Sequence, residues 1–289
     1  MAKITVHPLT KNPTKAWQKL QVKQSISKVT PLDPDTPVQI DKVRFVCISD
    51  THARVERLQD FIPEGDVLLH AGDITNVGLP FEIEKFNEFL GKLPHKHKIV
   101  IAGNHDLTFD DDMVKTKRHD LEMRFNIRKE KFEDYLNERG IASVKSLLTN
   151  CTYLEDSMAE VYGIRIYGAP WQPEFCDWGF NLPRGQACLD KWNKIPEDVD
   201  ILITHGPPIG HGDKCFDGSH VGCVELLSTI QQRIFPKYHV FGHVHEGYGV
   251  TTDGVTTYIN ASTCTLQYKP RNPPIIFDIP LPEGVSKTC

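Results

Sequence analysis

The sequence predicts an α/β domain, built on one mixed sheet or on two sheets lying face to face with helices outside. Three features point there. Five short apolar runs stop abruptly at Gly or polar residues, the pattern of strands buried on both faces. Between some of them, apolar residues recur at helical spacing. Helical crossovers between the early strands imply parallel pairing, whereas the late strands follow one another closely, which favours antiparallel pairing.

Residues 1–40 are polar and hold Pro8, Pro13, Pro31, Pro34 and Pro37. They read as an N-terminal extension, either an extended arm or an edge element laid on a domain spanning 41–289. A regular alternation begins at Arg44, with strands over 44–49 and 66–70. Phe86, Phe89, Leu90 and Leu93 share one face of a helix near 80–93, and a strand at 98–102 follows. In the charged region 110–140, Phe132, Tyr135 and Leu136 suggest one amphipathic helix after a looser acidic segment. Strands near 144–149, 151–155 and 163–168 lead into an aromatic loop over 169–183. Then come a helix at 185–194, a strand at 200–204 and a helix at 222–234. Strands near 238–242, 255–260 and 274–279 close the chain, with no internal repeat and no Ser/Gly-rich linker after residue 40.

With 289 residues, 39% hydrophobic and 25% charged, the chain can bury a sizeable core. A net charge of −5 argues against a protein that coats polyanions, but leaves room for a small anionic substrate held by metals. No stretch approaches ~20 consecutive apolar residues, so no membrane span is expected. The start, Met1 to Pro8, lacks the apolar core of a secretory signal. Eight scattered cysteines without a Cys-x-x-Cys pair read as reduced thiols in a cytosolic protein.

Each of the five runs ends on groups that bind metals. Phe45 to Ile48 leads to Asp50 and His52; Val67 to His70 leads to Gly72 and Asp73; Ile99 to Ala102 leads to Gly103, Asn104, His105 and Asp106. Ile201 to Ile203 leads to His205, and Val240-Phe241 leads to Gly242, His243 and His245. Open α/β sheets bind ligands at the carboxyl edge. Convergence there gathers Asp50, His52, Asp73, Asn104, His205, His243 and His245, enough for two divalent ions. Asp50 and His52 stand two apart and would share a face on a continuing strand, as would His243 and His245. Asp73 offers a carboxylate that can bridge two cations. Mixed oxygen and nitrogen donors suit Fe, Mn, Zn or Mg. A single Asp-x-His pair is usually incidental, Gly-Asn-His-Asp alone reads as a turn, and His70 reads as a satisfied core residue. Five such motifs in order after five strands are not incidental.

Taken together, Asp50-x-His52, Gly72-Asp73, Gly103-Asn104-His105-Asp106, His205 and Gly242-His243-x-His245 resemble the full signature of the calcineurin-like metallophosphoesterases, over residues 44–262. Gly168-Ala169-Pro170-Trp171, Thr204-His205-Gly206-Pro207-Pro208 and Tyr258-Ile259-Asn260-Ala261-Ser262 resemble its metallophosphoesterase-domain-containing branch, which is related to the class III cyclic-nucleotide phosphodiesterases. The resemblance implies a four-layer αββα sandwich, two mixed sheets flanked by helices with metals at the sheet edges. It places Asp50, His52 and His245 on one ion, Asn104, His205 and His243 on the other, and Asp73 on both. Some relatives in this branch carry a small residue at the position of His243; this chain keeps the histidine, which implies a complete dinuclear centre.

Two such ions clamp a phosphoryl group and lower the pKa of a bridging water. The expected reaction is in-line attack of that hydroxide on phosphorus without a covalent enzyme intermediate, with Mn expected to support it in vitro. His105, directly after Asn104, is the candidate to protonate the leaving oxygen, with Asp106 fixing its tautomer. Protein Ser/Thr phosphatases of the superfamily follow the bridging Asp with Val-Asp-Arg-Gly, whose Arg grips a monoester dianion. Here Ile74-Thr75-Asn76-Val77 stands instead, which favours diesters. The loop 171–180 holds Trp171, Phe175, Trp178 and Phe180. These rings could stack on a base, at ~1–3 kcal/mol each, or pack onto the core. Arg184 could meet a phosphate or form a salt bridge. Cyclic nucleotides are the leading substrates, or similar small phosphodiesters, with no membrane or extended nucleic acid as partner. The alternatives are a non-catalytic scaffold of the same fold, as the retromer subunit of the superfamily is, and a nuclease. The acidic charge and the lack of a Lys/Arg stripe disfavour the nuclease.

Overall fold

The structure, a computed structural model, describes residues 4–287. In chain order the N-terminal arm contributes helix α1 (Pro13–Leu20) and the short strand β1 (Ser27–Lys28). Then follow β2 (Lys42–Ile48), β3 (Val67–Ala71), helix α2 (Pro80–Lys92) and β4 (His97–Ile101). Next are α3 (Asp111–Thr116), α4 (Arg118–Phe125), α5 (Glu133–Glu138), β5 (Thr152–Tyr153), β6 (Ser157–Val161) and β7 (Ile164–Ala169). After these come β8 (Gln172–Pro173), β9 (Asn181–Leu182), α6 (Gln186–Trp192), β10 (Ile201–Thr204) and α7 (Val224–Thr229). The chain closes with β11 (Tyr238–Phe241), β12 (Gly249–Thr252), β13 (Thr257–Asn260) and β14 (Ile275–Pro280).

Of the two predicted arrangements, two facing sheets with helices outside is observed. One sheet has the order β14-β2-β3-β4-β5, the other β1-β12-β13-β11-β10-β7-β6. Strand alternation builds the layers. Phe45, Cys47, Leu69 and Ile101 point inward and pack against Ile166, Ile203, Val240 and Ile259 of the facing sheet. Their neighbours Val46, Ile48, Leu68 and Val100 point outward onto Ile83, Phe86 and Leu90 of α2. On the far side, Tyr167 and Leu202 pack on Trp192, Leu226 and Ile230. At about 25 cal/mol per Å² of apolar surface, these three interfaces dominate the stability of the fold.

The five metal-motif strands do not share one sheet. β2, β3 and β4 run parallel in one, while β10 and β11 run parallel in the other. The carboxyl ends of the three strands and of the two still meet, because Ser49 and Ser262 form a parallel bridge between the sheets.

Several expectations fail for local reasons. The strand expected at 144–149 is a turn of 3₁₀ helix over Val144–Leu147. The Ser143 side chain accepts from Lys145 N at 3.3 Å, and one-sided burial of Val144 and Leu148 against α2 suits a helical turn. The region 110–140 forms α3, α4 and α5 rather than one helix: Asp110 caps α3, and Asn126 ends α4 in the left-handed conformation with φ 55°. The helix at 222–234 is α7 followed by a π turn over Ile230–Ile234. Strands β6 and β12 were not foreseen, being half-exposed sheet strands without a continuous apolar run. β12 also changes the late pairing. It lies antiparallel to β13 and returns the chain, so β11 and β13 are parallel. The arm is an edge element, as expected, through β1 on β12, but it also carries α1 with Ala16 and Trp17 buried.

Among the described residues no helix is long and apolar enough to cross a membrane. Cys47, Cys151, Cys176, Cys188, Cys215, Cys223 and Cys264 are free thiols, and Cys289 lies outside the described residues.

Candidate metal centre

The seven expected donors meet where the two sheets join. They do not follow strand alternation to get there. Asp50, His52, Asp73 and His243 have φ of 51°, 43°, 56° and 68°, so left-handed turns, not continuing strands, aim their side chains. Such backbone is strained for non-Gly residues and is found where function demands it. Two glycines make the approach possible. A Cβ on Gly242 would lie 2.0 Å from Asp50 Oδ2, and one on Gly103 would lie 2.3 Å from Asp73 Oδ1.

On one side, Asp50, His52 and His245 bring ligand atoms together. His52 Nε2 lies 3.3 Å from His245 Nε2, and His245 Nε2 lies 3.4 Å from Asp50 Oδ1. The Nδ1–H of His245 donates to the Thr265 carbonyl at 3.0 Å, so its Nε2 faces the site. Asp50 accepts from His243 N at 3.0 and 3.1 Å and from Ser262 Oγ at 2.9 Å. On the other side, Asn104 Oδ1 sits 2.9 Å from His205 Nε2 and 2.7 Å from His243 Nδ1. His205 Nδ1–H donates to the Ala71 carbonyl at 2.9 Å, so its Nε2 faces the site. Between them stands Asp73, with Oδ2 3.7 Å from His52 Nε2 and Oδ1 3.4 Å from His205 Nε2. One carboxylate thus addresses both clusters.

The electrostatics describe a site built for cations. Asp50 and Asp73 are almost fully buried, and their ion pairs among the described residues are with histidines alone. Burial works to raise both carboxyls, but His245 beside Asp50 and His205 beside Asp73 win and hold them below the usual range. In return, Asp73 overcomes burial to lift His205 to about 9, and Asp50 does the same for His245. Burial pushes His52 and His243 down to about 3, which keeps them neutral. Among the described residues the buried His52 Nδ1 has no hydrogen-bond partner. Buried anions balanced only by imidazoles, with neutral ring nitrogens beside them, fit divalent metals bound by oxygen and nitrogen.

His105 lies at the rim of this cluster. Its Nδ1–H donates to the Asn76 carbonyl at 2.9 Å, its ring stacks on Trp178 at 3.9 Å, and its backbone N donates to Asp73 Oδ1 at 2.8 Å. Asp106, expected to fix that tautomer, turns away. Its carboxylate accepts from the backbone of Gly103, Ile74 and Thr75 and from Thr75 Oγ1, stapling the two donor loops together. The Asn76 carbonyl fixes the tautomer instead. Burial, with Asp73 nearby, lifts the Asp106 carboxyl to about 7.

A cavity of about 470 Å³ opens from the donors, lined among others by Gln172, Phe175, Arg184, Phe216, Glu246 and Tyr268. The aromatic loop divides its labour. Trp171 and Phe180 pack on each other at 5.3 Å in the core, while Phe175 faces His243 at 5.5 Å. Among the described residues Arg184 forms no salt bridge; it donates to the carbonyls of Gly222 at 2.9 Å and Val221 at 2.5 Å. His70 is a core residue as expected, with Nε2 3.0 Å from Thr51 Oγ1. Tyr268 was missed. Its ring lies 4.7 Å from His52 and 5.6 Å from His245, with φ 53° at the turn Thr265–Lys269. Its only sequence signal was an aromatic between two polar residues.

The family model for calcineurin-like phosphoesterases matches residues 43–247. The chain is similar to metallophosphoesterase domain-containing protein 1 of Homo sapiens and of Mus musculus, each 54% identical over 289 residues, covering 97% of this chain and 86% of theirs. It is also similar to a 3′,5′-cyclic-nucleotide phosphodiesterase of Nostoc sp., 24% identical over 214 residues, covering 73% of this chain and 68% of that one. A match across most of the chain, over a buried donor set suited to metals, makes this protein a member of the calcineurin-like phosphoesterase family and a phosphoesterase.

Proposed function

We propose that the protein hydrolyses small phosphodiesters, with cyclic nucleotides as the leading substrates, using two divalent ions. Asp50, His52 and His245 would hold one ion, Asn104, His205 and His243 the other, and Asp73 both. Mn, Fe, Zn or Mg fit this donor set, and Mn is the ion to load in vitro. The reading rests chiefly on Asp73, whose two oxygens each face a different cluster. The ions, when bound, would supply Lewis-acid activation of water and offset the charge of the phosphate.

The chain's own residues supply the rest. His105 would give the departing oxygen a proton from Nε2 as the imidazolium, its plane fixed by Trp178 and its Nδ1–H held by Asn76. Asp106 keeps the loops carrying Asp73 and Asn104 in register through the backbone of Ile74, Thr75 and Gly103. No free arginine follows Asp73 to grip a dianion, and the Arg184 guanidinium is engaged with carbonyls, which supports a diester. Phe175 and Phe216 beside the cavity offer faces to a base, and the named activity of the Nostoc relative supports a cyclic nucleotide. Glu174, Asp217 and Glu246 on the cavity wall disfavour an extended nucleic acid. A cytoplasmic location suits the free thiols.

The test is a panel with the Mn²⁺-loaded protein: cyclic AMP, cyclic GMP, bis(p-nitrophenyl) phosphate, p-nitrophenyl phosphate and a short oligonucleotide. Turnover of the diesters above the monoester supports the reading. Faster monoester cleavage, or none of any substrate, would sink it.

A further inference from the structure

We infer that the N-terminal arm, which lies outside the matched family region, positions one wall of the substrate cavity through Thr14 and Trp17. The inference rests on the cavity being the substrate site. Its wall is the loop between β10 and α7, which brings Cys215, Phe216, Asp217, Ser219 and Val221 to the cavity.

The base of that loop is fastened from both sides. Thr14 Oγ1 accepts from His220 N at 3.0 Å and donates to His220 O at 3.4 Å, closing a two-way link from α1. The Trp17 ring lies 5.5 Å from the His220 ring and fills the space over Gly210, where a Cβ would fall 2.2 Å from the indole. Gly210 has φ 88°, so both its conformation and the indole demand glycine. Inside the loop, the buried Asp213 carboxylate accepts from Gly210 N, Gly222 N and His220 Nδ1 at 3.0, 3.0 and 2.8 Å. His220 is therefore the joint between arm and loop. Ahead of α1, His7 N and Thr10 Oγ1 donate to the buried Glu225 carboxylate at 3.2 and 2.9 Å, anchoring the arm to α7. Opposite, Arg184 holds Val221 and Gly222 by their carbonyls.

The tip is held far less. Phe216 is 84% exposed, and its backbone N donates to Glu246 Oε1 at 3.2 Å. A rigid base limits the entropy lost when the exposed Phe216 ring is ordered on a substrate, and the arm is one of the supports of that base. Thr14 and Trp17 touch neither the donors nor the cavity, so they act on substrate only through the loop.

The experiment uses the full Mn²⁺-loaded chain with Thr14→Val, Trp17→Ala and the conservative Thr14→Ser. Hydrogen exchange should quicken across residues 213–222 in the first two and stay unchanged across 102–106. KM for cyclic AMP should rise about tenfold, with kcat and metal content within twofold of wild type, whereas bis(p-nitrophenyl) phosphate, which needs less of the wall, should respond less. Thr14→Ser should restore both readouts. Unchanged exchange in the loop, or an equal fall in kcat for both substrates, would overturn the inference. If the wild type cleaved no diester, the proposed function would fall, while the exchange result would still decide whether the arm holds the loop.

Discussion

His52 and His245 point their Nε2 atoms at each other across 3.3 Å, although the Nδ1–H of His245 is already committed to the Thr265 carbonyl. Two ring nitrogens facing one space, beside the Asp50 carboxylate, call for a cation. At a hundredfold excess over Kd, an ion adds about 2.7 kcal/mol of stability. For a domain of this size that is about 5–10 °C in Tm. Melting curves with Mn²⁺ and with a chelator should differ by that much, and His52→Ala should lose about one ion by elemental analysis. Coincident curves with unchanged metal content would rule out this centre.

His105→Ala should lower kcat by about 10²–10⁴-fold while leaving bound metal intact. The loss should depend on the leaving group. In cyclic AMP the oxygen leaving phosphorus is a ribose alkoxide that needs a proton, whereas p-nitrophenolate leaves bis(p-nitrophenyl) phosphate without one. Equal penalties for the two substrates would show that His105 is not the acid.

Gly242→Ala places a methyl 2.0 Å from Asp50 Oδ2 and 2.1 Å from Ser49 Oγ. The Asp50 carboxylate must move, so one ion should be lost and turnover should fall about 10²-fold, with the circular dichroism spectrum unchanged. Wild-type metal content in this variant would show that Asp50 is not a ligand.

His211 gives a stability prediction away from the metals. Its ring is buried, stacks on Tyr258 at 3.6 Å and bonds Thr251 Oγ1 at 2.8 Å. Burial lowers its pKa from 6.5 to about 4, against the pull of Asp253 and Asp213. As pH falls below 6.5 the unfolded chain takes the proton first. Stability present at pH 7 is therefore lost on the way to pH 4, by up to about 3 kcal/mol. His211→Gln should flatten that slope in urea unfolding between pH 7 and 5. Parallel slopes for the two proteins would refute it.

The convergence of the seven candidate donors was legible because metal chemistry restricts residue types and because β2, β3, β4, β10 and β11 are continuous apolar runs ended by glycine or polar groups. What aims them was not legible. The pairing of Asp50 with His52 follows from left-handed backbone at both, not from the strand alternation the spacing suggested. The role expected for Asp106 failed because neighbouring backbone amides compete for a buried carboxylate, and sequence adjacency to His105 carries no information about that competition. β6 was invisible because Met158 and Glu160 face outward on an edge strand, and α1 because its burial depends on a loop some two hundred residues away. Tyr268 reached the site through a turn that nothing nearby announced.

Neither sheet can complete either donor cluster by itself. Asp50 and His52 arrive from the strands of one sheet and His245 from the other, while Asn104 from the first meets His205 and His243 from the second. Activity therefore reports the alignment of two half-structures. A volume-conserving substitution deep between the sheets, around Phe45 or Ile203, that slides one layer slightly past its mate should lower catalysis far more than it lowers the melting temperature. In such variants, chemistry fails before folding does.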